Sequence, residues 1–344
     1  MDNYHIFPNK LKSKMFRKSN WYLWPLLVLT VGLFSCKWDN GGKNIVMKNS
    51  HNAGEKHSFQ KGYFSMKEHL EKESEDKIDF QIFPAAQIAT EKEAIEMVKL
   101  GVIASSPVNV GALASFVPEV DLFNFPFLFR DTEHFYNVVD GPVGKQIAKK
   151  IEAKLDCIVL GWWFGGGRNV WNKERPIHKP EDLQGLKIRV IGSSIILDGF
   201  NSFGAQATNM SFNQLYSAVS TKVIDGGECD NTDLLDMKFY EVTKYISKTE
   251  HLFPAIALIF SKKQYNKLPP DIQKEILEAG RISVAVQRQS MNQKTKEAVA
   301  ELEEHGMIFN DVNKKPFQNL AKKLYIQYAE KVGGMQLIEQ IINQ

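Results

Sequence analysis

Apolar and polar positions along the chain switch repeatedly between a period near two and a period near 3.6. NIVMKNSH at 44–51 reads as a short apolar strand ending in polar residues, and SFQKGYFSMKEHLEKESE follows with Phe59, Tyr63, Met66 and Leu70 at helical spacing. KIDFQIFP alternates as a strand, and TEKEAIEMVKLG carries a Thr90 cap, helical periodicity and a closing glycine. The order continues with a strand near 102–110, a helix over 132–153 and a strand over 157–163. After three glycines come the strand NVWNK, a helical turn in KPEDLQG, the strand LKIRV and a helix in SIILDGFNSFGA. ATNMS, the helix FNQLYSAVSTK and the strand VIDGGE precede HLFPAIALIFSKKQYNKL, which reads as one apolar strand. A helical stretch of about 35 residues begins at Pro269–Pro270 and ends at Gly306, long enough to bridge two domains. Alternating strands and helices imply α/β layers with largely parallel sheets. The pattern is that of a chain which leaves one unit, builds a second and returns.

The N-terminus departs from this rhythm. Lys10, Lys12, Lys14, Arg17 and Lys18 precede the 14-residue apolar run Trp21–Phe34, the layout of an export signal and too short to span a bilayer comfortably. Leu33, Phe34, Ser35, Cys36 is similar to a bacterial lipobox, which predicts residues 1–35 as signal, Cys36 as the site of lipid attachment and 36–43 as a tether; the alternative is a short membrane-anchoring helix. Both place the body outside the cytoplasm, as a periplasmic lipoprotein in the first case. Residues 1–35 hold five basic residues and Asp2, a surplus of four positive charges, so the formal charge of +3 becomes −1 for the rest. No basic footprint for nucleic acid remains. Beyond Cys36 only Cys157 and Cys229 are left, read as two separate thiols, with a disulfide between them open.

The chemistry is concentrated at two arginines. Arg168 follows Gly165–Gly167, and Arg189 lies in a strand 21 positions later. A guanidinium stays charged and matches a carboxylate with two parallel hydrogen bonds, so the pair points to an anion site. Each could instead be a surface or ion-paired arginine. His51 and Asn52 end the first strand, where parallel sheets bind ligands, and offer donors and acceptors to hydroxyls. His51 has no second His or Cys at ligand spacing, so no metal is expected, nor any other cofactor. Trp162 and Trp163 alternate to opposite faces of their strand, and Trp163 is the one expected to stack on a ligand.

Over some 230 residues the chain resembles the solute-binding proteins of tripartite ATP-independent periplasmic (TRAP) transporters, of the dicarboxylate-binding type and close to its sugar-acid binders. FPAAQIATEKEAIEMVKLG, GALASFVPEVDLFNFPFLFRDTEHFYNVVDGPVGK, KPEDLQGLKIRV, MSFNQLYSAVSTKVIDGGE, KFYEVTKYISKTEH and KLPPDIQKEI carry the likeness by order and spacing. The resemblance implies a two-lobed periplasmic binding protein fold, type II-like, with a long bridging helix. Its expected boundaries are 44–166 plus 255–293 for the first lobe and 167–254 plus 294–344 for the second. It implies that Arg189 grips the solute carboxylate with Arg168 beside it, that Glu91 and Asn109 contact polar groups, and that Phe212 packs on the solute. Glu91 is also a first-turn carboxylate favoured by the helix dipole, and Phe212 could be core. DGGECDN stands where sugar-acid binders read like DGAENN, which puts Glu228, Cys229 and Asp230 in the site with a thiol and a carboxylate in place of two amides. Ala104 replaces an aspartate common in relatives.

The function implied is capture of a small organic acid, most plausibly a hexuronate, by lobe closure in a monomer without catalysis, and delivery to membrane permease subunits. A ligand sensor for a receptor is the alternative. A carbohydrate enzyme using Glu91 and Glu228 would need those carboxylates to converge, and nearby arginines argue for anion recognition instead.

Overall fold

The computed structural model describes residues 45–344; the expected signal, the tether and Cys36 lie outside them. The first sheet contains β1 (Ile45–Ser50), β2 (Ile78–Phe83), β3 (Ser105–Asn109), β4 (Cys157–Phe164) and β10 (Ala255–Ser261), in the order β2-β1-β3-β10-β4. The second contains β5 (Arg168–Asn172), β6 (Lys187–Val190), β7 (Gln206–Asn209), β8 (Gly226–Cys229), β9 (Tyr245–Leu252) and β11 (Ile308–Asp311), in the order β11-β9-β5-β8-β6-β7. Each sheet has one antiparallel strand: β10 runs against β3 and β4, and β5 against β8 and β9. These are the strands that follow the two short crossings between sheets.

Helices α1 (Ser58–Glu73), α2 (Glu91–Leu100), α3 (Val110–Leu113), α4 (Thr132–Asp140) and α5 (Pro142–Leu155) belong to the first half. The single helix expected over 132–153 is broken, because Gly141 leaves helical geometry and Pro142, lacking an N–H, starts a new one. Helices α6 (Ser194–Ser202), α7 (Leu215–Ser220) and α8 (Asn231–Asp236) flank the second sheet, and α9 (Lys262–Tyr265) follows β10. Helix α10 (Pro270–Glu304) runs unbroken for 35 residues, about 50 Å. It packs Ile276 and Ala279 into the first lobe's core and Leu302 into the second's. Helices α11 (Lys314–Val332) and α12 (Met335–Ile342) close the chain.

The boundary expected at 294–344 does not hold to its end. Helix α12 sits on the first lobe, where its carbonyls of Ile341 and Ile342 pair with His134 Nε2 (2.9 Å) and Arg130 Nη1 (3.0 Å). Its apolar face (Leu337, Ile338, Ile341) is buried.

The apolar run HLFPAIALIF is also two strands rather than one. Pro254 cannot donate a ladder hydrogen bond, so β9 ends at Leu252 in one sheet and β10 begins at Ala255 in the other. The other crossing is Gly165–Gly167, and Gly165 N–H donates to the Pro254 carbonyl (3.1 Å), which ties the two crossings together. Gly166 has φ +78°, and a Cβ there would lie 2.5 Å from Met291 and 2.7 Å from Asp230, so only glycine fits. Two- and three-residue crossings force the connected strand ends together. The carboxyl ends of the parallel strands of both sheets therefore meet at one crevice, the position at which open α/β sheets bind ligands.

Candidate functional site

Arg168 opens β5 and Arg189 lies near the end of β6, both at the crevice edge and almost wholly buried, 5% and 6% exposed. Their surroundings differ. Arg168 donates through Nε to Glu228 Oε2 and through Nη2 to the Glu228 carbonyl. Glu228 is fully buried, and its Oε1 accepts the Ile191 N–H at 2.9 Å. Burial alone would raise the Glu228 pKa, but the Arg168 charge and the His251 ring outweigh it and hold the carboxyl down at about 2. Arg168 is correspondingly held above its ordinary value: burial opposes its charge, and Glu228 more than compensates.

His251 is oriented by a chain of donors. Val170 N–H donates to Thr249 Oγ1 (3.2 Å), leaving the Thr249 hydroxyl to donate to His251 Nδ1 (2.8 Å). The ring proton is thus on Nε2, 3.6 Å from Glu228 Oε2. Nothing in the local sequence signals His251, whose partner is 23 positions away.

Arg189 has no such carboxylate. Its Nε donates to the Met210 carbonyl (3.0 Å) and its guanidinium carbon lies 5.8 Å from the centre of the Phe212 ring, while Nη1 is buried with no hydrogen-bond partner. Burial lowers its pKa, although an arginine remains charged. A buried, unpaired N–H of a cation costs free energy unless an anion completes it.

From the first lobe, Glu91 Oε1 accepts the Asn109 N–H (2.6 Å), and Asn109 Oδ1 accepts the Gly111 N–H (2.8 Å). Burial pushes the Glu91 carboxyl up to about 7, against the Asn109 N–H and the charges of Arg189 and Arg168, so Glu91 lies within electrostatic reach of both arginines. His51 is buried, and its Nε2 donates to Gln60 Oε1 (2.7 Å), which leaves Nδ1 as an unpartnered acceptor. Asn52, one residue on, is exposed. Asp230 caps α8, its Oδ1 accepting the N–H groups of Thr232 (2.8 Å) and Asp233 (3.2 Å). Cys229 shares the face of Arg189, but its thiol takes the Trp171 indole N–H (3.1 Å), and burial pushes its pKa up. Cys157 and Cys229 are both free thiols.

Trp163 does not line the crevice. It is fully buried between Phe59 and Tyr63 (ring centres 5.5 and 5.4 Å) and donates to Ser283 Oγ at 3.1 Å. Trp162 packs on Phe123 in the cluster on the sheet's other face. The two rings do point to opposite faces, but β4 is covered on both, so both rings are core. Two further polar residues outside the expected set, His57 and Asp233, meet across the lobes at 4.0 Å. His57 before SFQKGYF could have been read as a helix cap; Asp233 carries no local signal. Among the described residues no group of three His, Cys, Asp or Glu is placed to hold a metal ion.

Two sheets joined by paired crossings around a buried cation define a two-lobed binding protein. Residues 49–331 match the family described as DctP, bacterial extracellular solute-binding protein, family 7, and the chain belongs to it. It is 28% identical over 251 residues to the 2,3-diketo-L-gulonate-binding periplasmic protein YiaO of Escherichia coli K12, covering 73% of this chain and 76% of that one. A TRAP periplasmic solute binding protein from Sulfitobacter sp. NAS-14.1, solved with bound β-D-galacturonate, superposes with a TM-score of 0.83 at 27% identity, covering 87% of this chain and all of that one. One from Polaromonas sp. JS666, bound to D-erythronate, superposes with a TM-score of 0.83 at 30% identity, covering 87% and 98%. The chain is therefore a solute-binding protein of this family and not an enzyme.

Proposed function

We propose that the protein captures a small hydroxylated acid, a hexuronate or related sugar acid, in the crevice between its lobes and delivers it to a membrane permease. One observation carries this reading: the Arg189 Nη1, buried and unpartnered at the carboxyl edge where the lobes meet. A carboxylate is the ligand that completes it, through a charge-assisted bond contributing about 1.5–3 kcal/mol. Phe212 lies against the guanidinium, and Glu91, Asn109 and His51 present acceptors and donors for hydroxyls. Arg168 is neutralised by Glu228, so in this reading it shapes the wall and Arg189 anchors the charge. Galacturonate and erythronate in two relatives support a polyhydroxylated acid.

Closure from 1:99 to 99:1 needs the solute to favour the closed lobes by about 5.5 kcal/mol, within reach of one ion pair and several hydrogen bonds. Calorimetric titration tests the reading: D-glucuronate or D-galacturonate is expected to bind while D-glucose, without a carboxylate, does not. Equal binding of glucose and glucuronate would overturn it. The lipobox-like LFSC further supports Cys36 as a lipid anchor holding the monomer at a membrane. Loss of radiolabelled fatty acid in Cys36→Ala is the expected result, and undiminished labelling refutes the anchor.

A further inference from the structure

His57 and Asp233 stand on opposite lobes, and their geometry is that of two groups waiting for a third. His57 caps α1, its Nδ1 accepting the Phe59 N–H at 3.2 Å, so the ring proton is on Nε2. That nitrogen faces Asp233 Oδ1 at 4.0 Å, too long for a hydrogen bond. Asp233 also shares a side-chain hydrogen bond with Asp230, so the free capacity of the pair is the His57 Nε2–H donor and the Asp233 oxygen that faces it. Asp233 acts electrostatically on both Arg168 and Arg189, and its side chain is 24% exposed while that of His57 is 5% exposed. It thus shares the electrostatic neighbourhood of Arg189.

We propose that His57 and Asp233 together grip a hydroxyl of the solute away from its carboxylate, and thereby select polyhydroxy monocarboxylates over dicarboxylates. The inference rests on the capture of an acid at Arg189. A hydroxyl satisfies both partners at once, accepting from His57 Nε2–H and donating to Asp233. A second carboxylate accepts from His57 but has nothing to donate, and it meets the acidic side of the crevice. The groups around the pair are Asp230 and Asp236 on α8, Lys294 on α10, and Lys56 and His51 in the first lobe. Burial holds His57 down at about 4 and so keeps it neutral, while burial, the Asp230 charge and a hydrogen bond to Asp230 push the Asp233 carboxyl up, so that its proton is shared with Asp230 and not offered to a second carboxylate. Of the crevice arginines, Arg168 is already matched by Glu228, which leaves Arg189 for one carboxylate.

The test uses acids differing only in the terminal group: D-gluconate against D-glucarate, and D-erythronate against meso-tartrate, with D-glucuronate alongside. The wild type is expected to prefer the monocarboxylate of each pair by about a hundredfold. Asp233→Asn, nearly isosteric, should narrow that preference by about tenfold, and His57→Gln should weaken D-glucuronate by about tenfold. Equal affinity within a pair overturns the proposal. So does a uniform loss across all five acids in Asp233→Asn, which would mark a latch between lobes only. If Arg189→Ala abolishes binding but neither His57 nor Asp233 variants alter affinity or preference, this inference fails and the capture reading stands. If none of the five acids binds, the capture reading falls and takes this one with it.

Discussion

Replacing Arg189 by alanine is expected to weaken binding of the cognate acid by about 10²–10³-fold without lowering the melting temperature of the ligand-free protein. The two parts have one cause. In the ligand-free protein the guanidinium is 6% exposed with Nη1 unpaired, so it contributes a desolvation cost of about 1–3 kcal/mol to the fold. Alanine removes that cost along with the contact to the Met210 carbonyl, and the thermal midpoint should hold or rise slightly. Binding loses the counter-charge, and truncating one partner of a buried, hydrogen-bonded ion pair costs about 2–5 kcal/mol. Arg189→Lys should recover only part of the loss, because an ammonium lacks the planar fork. Titration calorimetry and thermal melts of the same preparations check both halves. A variant that binds within threefold of wild type removes Arg189 from the site; one that melts far lower shows the arginine to be a structural group.

The contrast between the two arginines shows where the chain's text ends and its folding begins. The periodicities of β1, α1, β2 and α2 were readable because each is decided within about ten residues, by caps such as Thr90 and by apolar spacing. The break at Gly141–Pro142 was present in the letters, yet the apolar stripe continues across it and outvotes it in a pattern reading. The split of HLFPAIALIF at Pro254 depends on which sheet each half joins, a matter settled by partners more than 70 positions away in β5 and β4. Arg168 and Arg189 look alike in sequence, and only the Glu228 carboxylate, 60 positions beyond Arg168, separates a matched charge from an unmatched one. Trp163 illustrates the same limit from the opposite side. Its face of the strand was predictable, whereas the fact that α1 and α10 cover that face was not.

Glu228→Gln is expected to destabilise the ligand-free protein by about 3–5 kcal/mol, the cost of leaving one member of a buried ion pair uncompensated, which for a chain of this size lowers the melting temperature by about 10 °C. Glutamine keeps the shape but offers one acceptor oxygen where Glu228 uses two, so the loss combines the charge with one of the contacts to Arg168 and the Ile191 N–H. Acid sensitivity should change with it, and the sign follows from the shift. Glu228 is held at about 2, below its ordinary 4.5. Its contribution is therefore complete above pH about 4.5 and is lost as pH falls toward 2, about 3 kcal/mol in all. Urea melts from pH 7 to pH 2.5 should show wild type losing stability faster than Glu228→Gln over the acid limb, with the two curves converging at its foot. Parallel curves would mean that the Glu228 charge contributes nothing to folding. In that case Arg168 would not be neutralised in the resting protein, and it would rejoin Arg189 as a second anchor for the acid.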